Sequence, residues 1–127
     1  MLVEGLQAAI NESGVARTAG ISHTLEDCRN KFAFKCPDVL LLDISMPDGN
    51  GIDFCGEMHD KYPEMKILML TSYDEFTVVN RAVSAGASGY ILKNALSEEV
   101  VKGIQTVMTG ETYFSKEIDR LMKKRIN

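Results

Sequence analysis

With 127 residues, 45% hydrophobic and 25% charged, the chain has the composition of one globular domain large enough to bury its own core. A net charge of −4 and the lack of a basic footprint argue against direct nucleic-acid binding by this segment. No apolar run approaches the roughly 18 residues of a membrane span, no signal peptide opens the chain, and Cys28, Cys36 and Cys55 lack framework spacing, which reads as buried free thiols of a cytoplasmic protein.

In chain order, Val3, Leu6 and Ile10 recur at helical spacing, and the polar run 11–14 ending in Gly14 stops that helix. Residues 15–21 are strand-like, with Arg17 and Thr18 suggesting an edge position. Thr24 with Asp27 three residues on resembles a capping box, opening a helix whose Leu25, Cys28 and Phe32 share a face. After Pro37, the uninterrupted apolar run Val39, Leu40, Leu41, Leu42 fits a strand buried on both faces and leads straight into Asp43. A Pro- and Gly-rich turn follows, then a helix marked by Ile52, Cys55 and Met58 that ends near Tyr62 and Pro63.

KILMLT, residues 66–71, is a second fully apolar strand. Asp74 or Glu75 opens the next helix, with Val78, Val79, Ala82 and Val83 inward and Gly86 closing it. GYILK, residues 89–93, is the next strand. Ser97 is expected to cap the helix after it, with Glu98 and Glu99 favourable in its first turn. Gly110 ends that helix, and Ser115 starts a last helical segment carrying Ile118, Leu121 and Met122. Strands alternating with helices imply parallel βαβ units with right-handed crossovers. The expected division is one domain over 1–112, with 113–127 a terminal helix or the start of a connection to a second domain. Lys123, Lys124 and Arg125 read as a solvated helix end, and His23 and His59 as surface residues without metal-spaced partners.

Three strands end in chemically distinctive residues, Asp43, Thr71 and Lys93. Parallel strands place those ends on one edge, where open α/β sheets put their chemistry. A carboxylate, a hydroxyl and an ammonium suit the making and reading of an acyl phosphate. The carboxylate is the nucleophile toward phosphorus, the hydroxyl donates to a phosphoryl oxygen, and the ammonium offsets a charge of roughly −2. Each residue also has an ordinary role, as turn-former, helix cap or solvated cation. It is their co-occurrence in register that points to a site.

DVLLLDISMPDGNG at 38–51, ILMLTS at 67–72 and GASGYILKN at 86–94 together resemble the receiver domain of bacterial two-component response regulators, most closely the subfamily with a LuxR-type (NarL/FixJ-like) DNA-binding output. The resemblance covers nearly the whole chain. It implies a flavodoxin-like, doubly wound parallel sheet with Asp43 as phosphoacceptor, Thr71 as the hydroxyl that follows the phosphoryl group, Tyr90 as the coupled aromatic and Lys93 as the basic partner. It further implies Mg²⁺ held by Asp43 and the backbone carbonyl of Ser45, a sensor histidine kinase as phosphodonor, and DNA contact only through a C-terminal output domain.

The family's sheet has five strands ordered 2-1-3-4-5, and its first, central strand ends in an acidic pair. Here MLVEGLQAAI matches the helix after that strand, so the expectation is a receiver sheet lacking it. Two consequences are expected. Mg²⁺ affinity falls, because Mg²⁺ seeks near-octahedral oxygen ligands and the spare carboxylates Glu4 and Asp48 do not stand where the pair would be. Residues 15–21 and 38–43 become two open edges, relieved either by closing up into a four-stranded sheet or by a second copy of the chain, and a homodimer is the favoured expectation. The competing function is a phosphorylation-incompetent receiver acting as a dimerisation or interaction module. A small-molecule enzyme is disfavoured by the lack of a Gly-rich phosphate loop, catalytic His or second carboxylate.

Overall fold

Residues 3–126 are described by a computed structural model, with side chains described over 5–124. In chain order the elements are α1 (Val3–Ser13), α2 (Leu25–Phe34), β1 (Val39–Leu42), β2 (Ser45–Met46), β3 (Gly49–Asn50), α3 (Gly51–Lys61), β4 (Lys66–Thr71), α4 (Phe76–Ser84), β5 (Gly89–Leu92), α5 (Ser97–Met108), β6 (Tyr113–Phe114) and α6 (Lys116–Ile126). The main sheet is parallel throughout, in the order β1-β4-β5-β6, and β2 and β3 form a separate antiparallel hairpin. Register runs Leu42 to Met69 to Tyr90 to Phe114, so the C-terminal ends of β1, β4 and β5 lie side by side.

Apolar runs make this sheet because both of its faces are covered. On one face Leu6 and Ile10 of α1 and Val100, Ile104 and Val107 of α5 pack with Leu68 and Ile91. On the other, residues of α2, α3, α4 and α6 pack with Leu42, Ile67, Met69 and Tyr90. Alternation along each strand therefore divides one apolar run between two cores, which is the doubly wound arrangement the sequence implies. Gly89 is needed for the β5–β6 contact, since a Cβ there would stand 2.5 Å from the Tyr113 carbonyl oxygen.

Several local expectations need correction. Residues 15–21 form no strand. They turn back on the end of α1, where the Val15 N–H donates to Ser13 Oγ at 3.0 Å and the Thr18 N–H to Asn11 Oδ1 at 2.8 Å. Local side-chain acceptors take the amides of Val15 and Thr18, and no ladder forms with the open edge of β1. Closing-up of the flanking strands accordingly does not occur. The sheet reaches four strands because Tyr113 and Phe114 pair with β5, and β1 and the two-residue β6 are its edges.

Thr24 caps α2 as expected, accepting from the Asp27 N–H at 3.0 Å. Ser97, by contrast, lies inside α5 behind Leu96, and α4 begins after Glu75 with no side-chain cap. Cys28 and Cys55 are buried, whereas Cys36 is exposed. His23 and His59 are both exposed. The side chains of Glu4 and Arg125 lie outside the described residues, and Lys123 pairs with Asp119 at 3.0 Å. Across the expected boundary at 112 the core continues, with Ile118 fully buried in the cluster that holds Val79 and Ala82.

Candidate functional site

The site lies where β1, β4 and β5 end. β1 delivers Asp43 one residue beyond its last paired residue, and the chain then reverses through the β2–β3 hairpin into α3. Gly51 makes that reversal feasible. A Cβ at this position would fall 2.1 Å from the Asp43 carbonyl oxygen, and its N–H donates to the Ile44 carbonyl at 2.7 Å. Asn50 caps α3 by accepting from the Ile52 N–H at 2.7 Å.

Asp43 and Lys93 meet. Lys93 Nζ donates to Asp43 Oδ2, and the Ser45 N–H donates to Asp43 Oδ1 at 3.1 Å, so both carboxylate oxygens are engaged. The Asp43 side chain retains 25% of its exposure and that of Lys93 46%, leaving the pair open to an incoming reagent. Thr71 ends the strand between them and is fully buried, and its carbonyl accepts from the Lys93 N–H at 2.9 Å. Tyr90 is fully buried as well, turned inward from β5, and its hydroxyl donates to the Tyr73 carbonyl at 2.6 Å. Burial pushes the Tyr90 phenol well above its ordinary value, with the Glu75 and Asp74 carboxylates adding to the effect.

Tyr73, which sequence reasoning did not single out, ties these parts together. Its N–H donates to Thr71 Oγ1 at 3.3 Å, its carbonyl takes the Tyr90 hydroxyl, and its own hydroxyl stands 3.2 Å from Ser45 Oγ. No periodicity or motif marks a tyrosine in a loop, so nothing in the sequence signals this bridge. Asp48 is the second addition. Its two oxygens accept from the Leu25 and Glu26 N–H groups at 2.8 and 3.0 Å, pinning the hairpin to the start of α2. Those backbone donors hold its carboxyl below the usual carboxylate range.

Mg²⁺ does not fit the residues at this position. The described residues contain no group of three Asp, Glu, His or Cys side chains able to hold a metal ion. Asp43 is engaged by Lys93 and Ser45, and both oxygens of Asp48 bind the start of α2.

Residues 1–105 match the family described as "Response regulator receiver domain". Over 99% of its length the chain is 35% identical to the transcriptional regulatory protein MctR of Rhizobium johnstonii, of which it spans 59%. Its fold is similar to that of a LuxR-family two-component response regulator from Aurantimonas sp. SI85-9A1, with a TM-score of 0.89 at 22% identity over 98% of this chain and 89% of that one. It is also similar to the signal receiver domain of the putative response regulator NarL from Mycobacterium tuberculosis, with a TM-score of 0.79 at 27% identity over 85% of this chain and 87% of that one. A family match over most of the chain, and a parallel sheet that brings Asp43 to Lys93 beside Thr71, agree in placing this chain among the response regulator receiver domains.

Proposed function

We propose that Asp43 accepts a phosphoryl group from the phosphohistidine of a sensor histidine kinase, and that the resulting change at Thr71, Tyr73 and Tyr90 switches a LuxR-type DNA-binding output domain. The observation that carries this reading is the direct contact of Lys93 with Asp43 across the end of β4. An Asp43 oxygen attacks phosphorus, the P–N bond to the donor imidazole breaks, and the imidazole leaves with the bonding pair and takes up a proton. Lys93 then faces an acyl phosphate of roughly −2 charge in place of the carboxylate. Thr71 stands beside it as the hydroxyl donor, and recruiting that hydroxyl takes it from the Tyr73 N–H. The name of MctR and the family of the Aurantimonas protein support a transcriptional output. On this reading the chain is a cytoplasmic signalling module that turns over no substrate of its own, and it touches DNA only through the output domain. The described residues contain no helix long and apolar enough to cross a membrane.

Incubation with acetyl phosphate and Mg²⁺ followed by intact mass tests the assignment. A phosphate adduct on the parent chain and none on Asp43→Asn is expected, and an adduct that persists in Asp43→Asn rejects it. The poor fit to Mg²⁺ favours a second reading, a receiver that works by protein contacts without phosphorylation. A folded parent chain that takes no adduct at any Mg²⁺ concentration selects that reading. Under either one we propose a homodimer, supported by the open outer edge of β1 with its unpaired backbone groups. Light scattering that reports a monomer at micromolar concentration removes this part.

A further inference from the structure

β5 carries Tyr90 and leads directly into Lys93, and its outer side is covered over Gly89 and Tyr90. Tyr113 and Phe114 pair with Gly89 and Tyr90, after which the chain turns into α6 and no strand residue remains for Leu92. Ser115 completes the ladder in an unusual way. Its Oγ accepts from the Leu92 N–H at 3.1 Å, its N–H donates to the Tyr90 carbonyl at 3.1 Å, and its carbonyl accepts from the Asp119 N–H at 2.8 Å in the first turn of α6. It is 1% exposed. One buried residue is thus bonded to the strand residue that bears the aromatic, to the residue directly before Lys93, and to α6.

The rest of α6 is lightly held. Ile118 is fully buried in the same cluster as Val79 and Ala82 of α4, the helix α6 packs against, and Leu121 and Met122 are partly buried. Lys116, Glu117, Arg120, Lys123 and Lys124 face solvent. Ser115 stands at the start of this helix and fixes where it leaves β5.

We infer that Ser115 is a positioning residue that couples β5 to α6, so that displacement of Tyr90 or Lys93 is carried through the bond from the Leu92 N–H to Ser115 Oγ and changes how α6 sits on α4. The coupling rests on the proposed phosphorylation only for what displaces β5 in the cell. Substitution can displace β5 without phosphate, which keeps failure of one idea distinct from failure of the other. Tyr90→Phe removes the hydroxyl bonded to Tyr73 and so releases the ring and its strand from that anchor. Residue-resolved hydrogen exchange on the 127-residue chain is expected to show the amides of Asp119 to Met122 exchanging about three-fold or more faster in Tyr90→Phe than in the parent. That increment is expected to vanish in Ser115→Ala and in Ser115→Cys, while Leu68 and Met69 keep their protection. Ser115→Cys preserves the volume and replaces the hydroxyl with a weak acceptor, which separates loss of the bond from loss of packing. An unchanged α6 in Tyr90→Phe overturns the inference, and this arm stands even where a Ser115 variant does not fold. The same increment persisting in either Ser115 background overturns it as well.

Discussion

Asp43 is held between two donors, and the partners differ in what they contribute. The ion pair with Lys93 is half open to water, and a pair of that kind adds only about 0.2–1 kcal/mol to stability. Lys93→Ala is therefore expected to fold with nearly the parent's melting temperature, yet to form the Asp43 phosphate adduct about ten-fold more slowly or worse, because the charge opposing the phosphoryl oxygens is gone. Calorimetry and a time course by intact mass separate the two effects. Tyr90 is the reverse case. Its hydroxyl is buried on the Tyr73 carbonyl, so Tyr90→Phe is expected to cost about 1 kcal/mol in urea unfolding.

The hairpin of β2 and β3 is the element on which the site depends. Within a few residues it supplies Asp48 to α2 and Asn50 to α3, and it follows directly on Asp43. Gly51→Ala drives a Cβ into the Asp43 carbonyl, where backbone has to move, and a loss of about 3 kcal/mol or more is expected, read as a fall in urea midpoint. α2 hangs on this element through ionised groups. Asp48 takes two of its amides, and Arg29 donates to both oxygens of Glu57 on α3 at 2.6 and 2.8 Å. Backbone hydrogen bonds lower the carboxyl of Asp48, and the Arg29 hydrogen bond lowers that of Glu57. Groups depressed in the folded state contribute stability above their unfolded values, about 3.9 and 4.3, and lose it as pH falls through the folded ones. Protection factors at the first turn of α2 are thus expected to fall below about pH 4, ahead of those in α5, and Asp48→Asn is expected to flatten that response.

At the scale of the whole molecule, the residues after 112 share the core of the rest. Ile118→Ala empties a fully buried site between α6 and α4, and a loss of about 2–4 kcal/mol is expected in a single unfolding transition. A separate early transition, or no change, marks 113–127 as an independent appendage instead. The outer edge of β1 is the other feature of this scale, since Val39 to Leu42 pair on one side only.

Sequence by itself determined the parallel βαβ arrangement, because β1, β4 and β5 are short apolar runs between amphipathic helices. It also placed Asp43, Thr71 and Lys93 on one edge, because parallel strands bring their C-terminal ends together. Those inferences rest on patterns with a fixed period and on groups whose place follows from topology. Only the tertiary structure decided the fate of residues 15–21, whose Val15 and Thr18 amides go to side chains of α1, and the existence of β6, two residues long and without a period of its own. Only it showed Tyr73 bridging Thr71, Tyr90 and Ser45, Asp48 leaving the site to cap α2, and Ser115 finishing the ladder of β5. Apart from Tyr73 to Thr71, each of those joins residues distant in the chain, made because a polar group must find a partner, and which partner lies nearest is known only once the chain has folded.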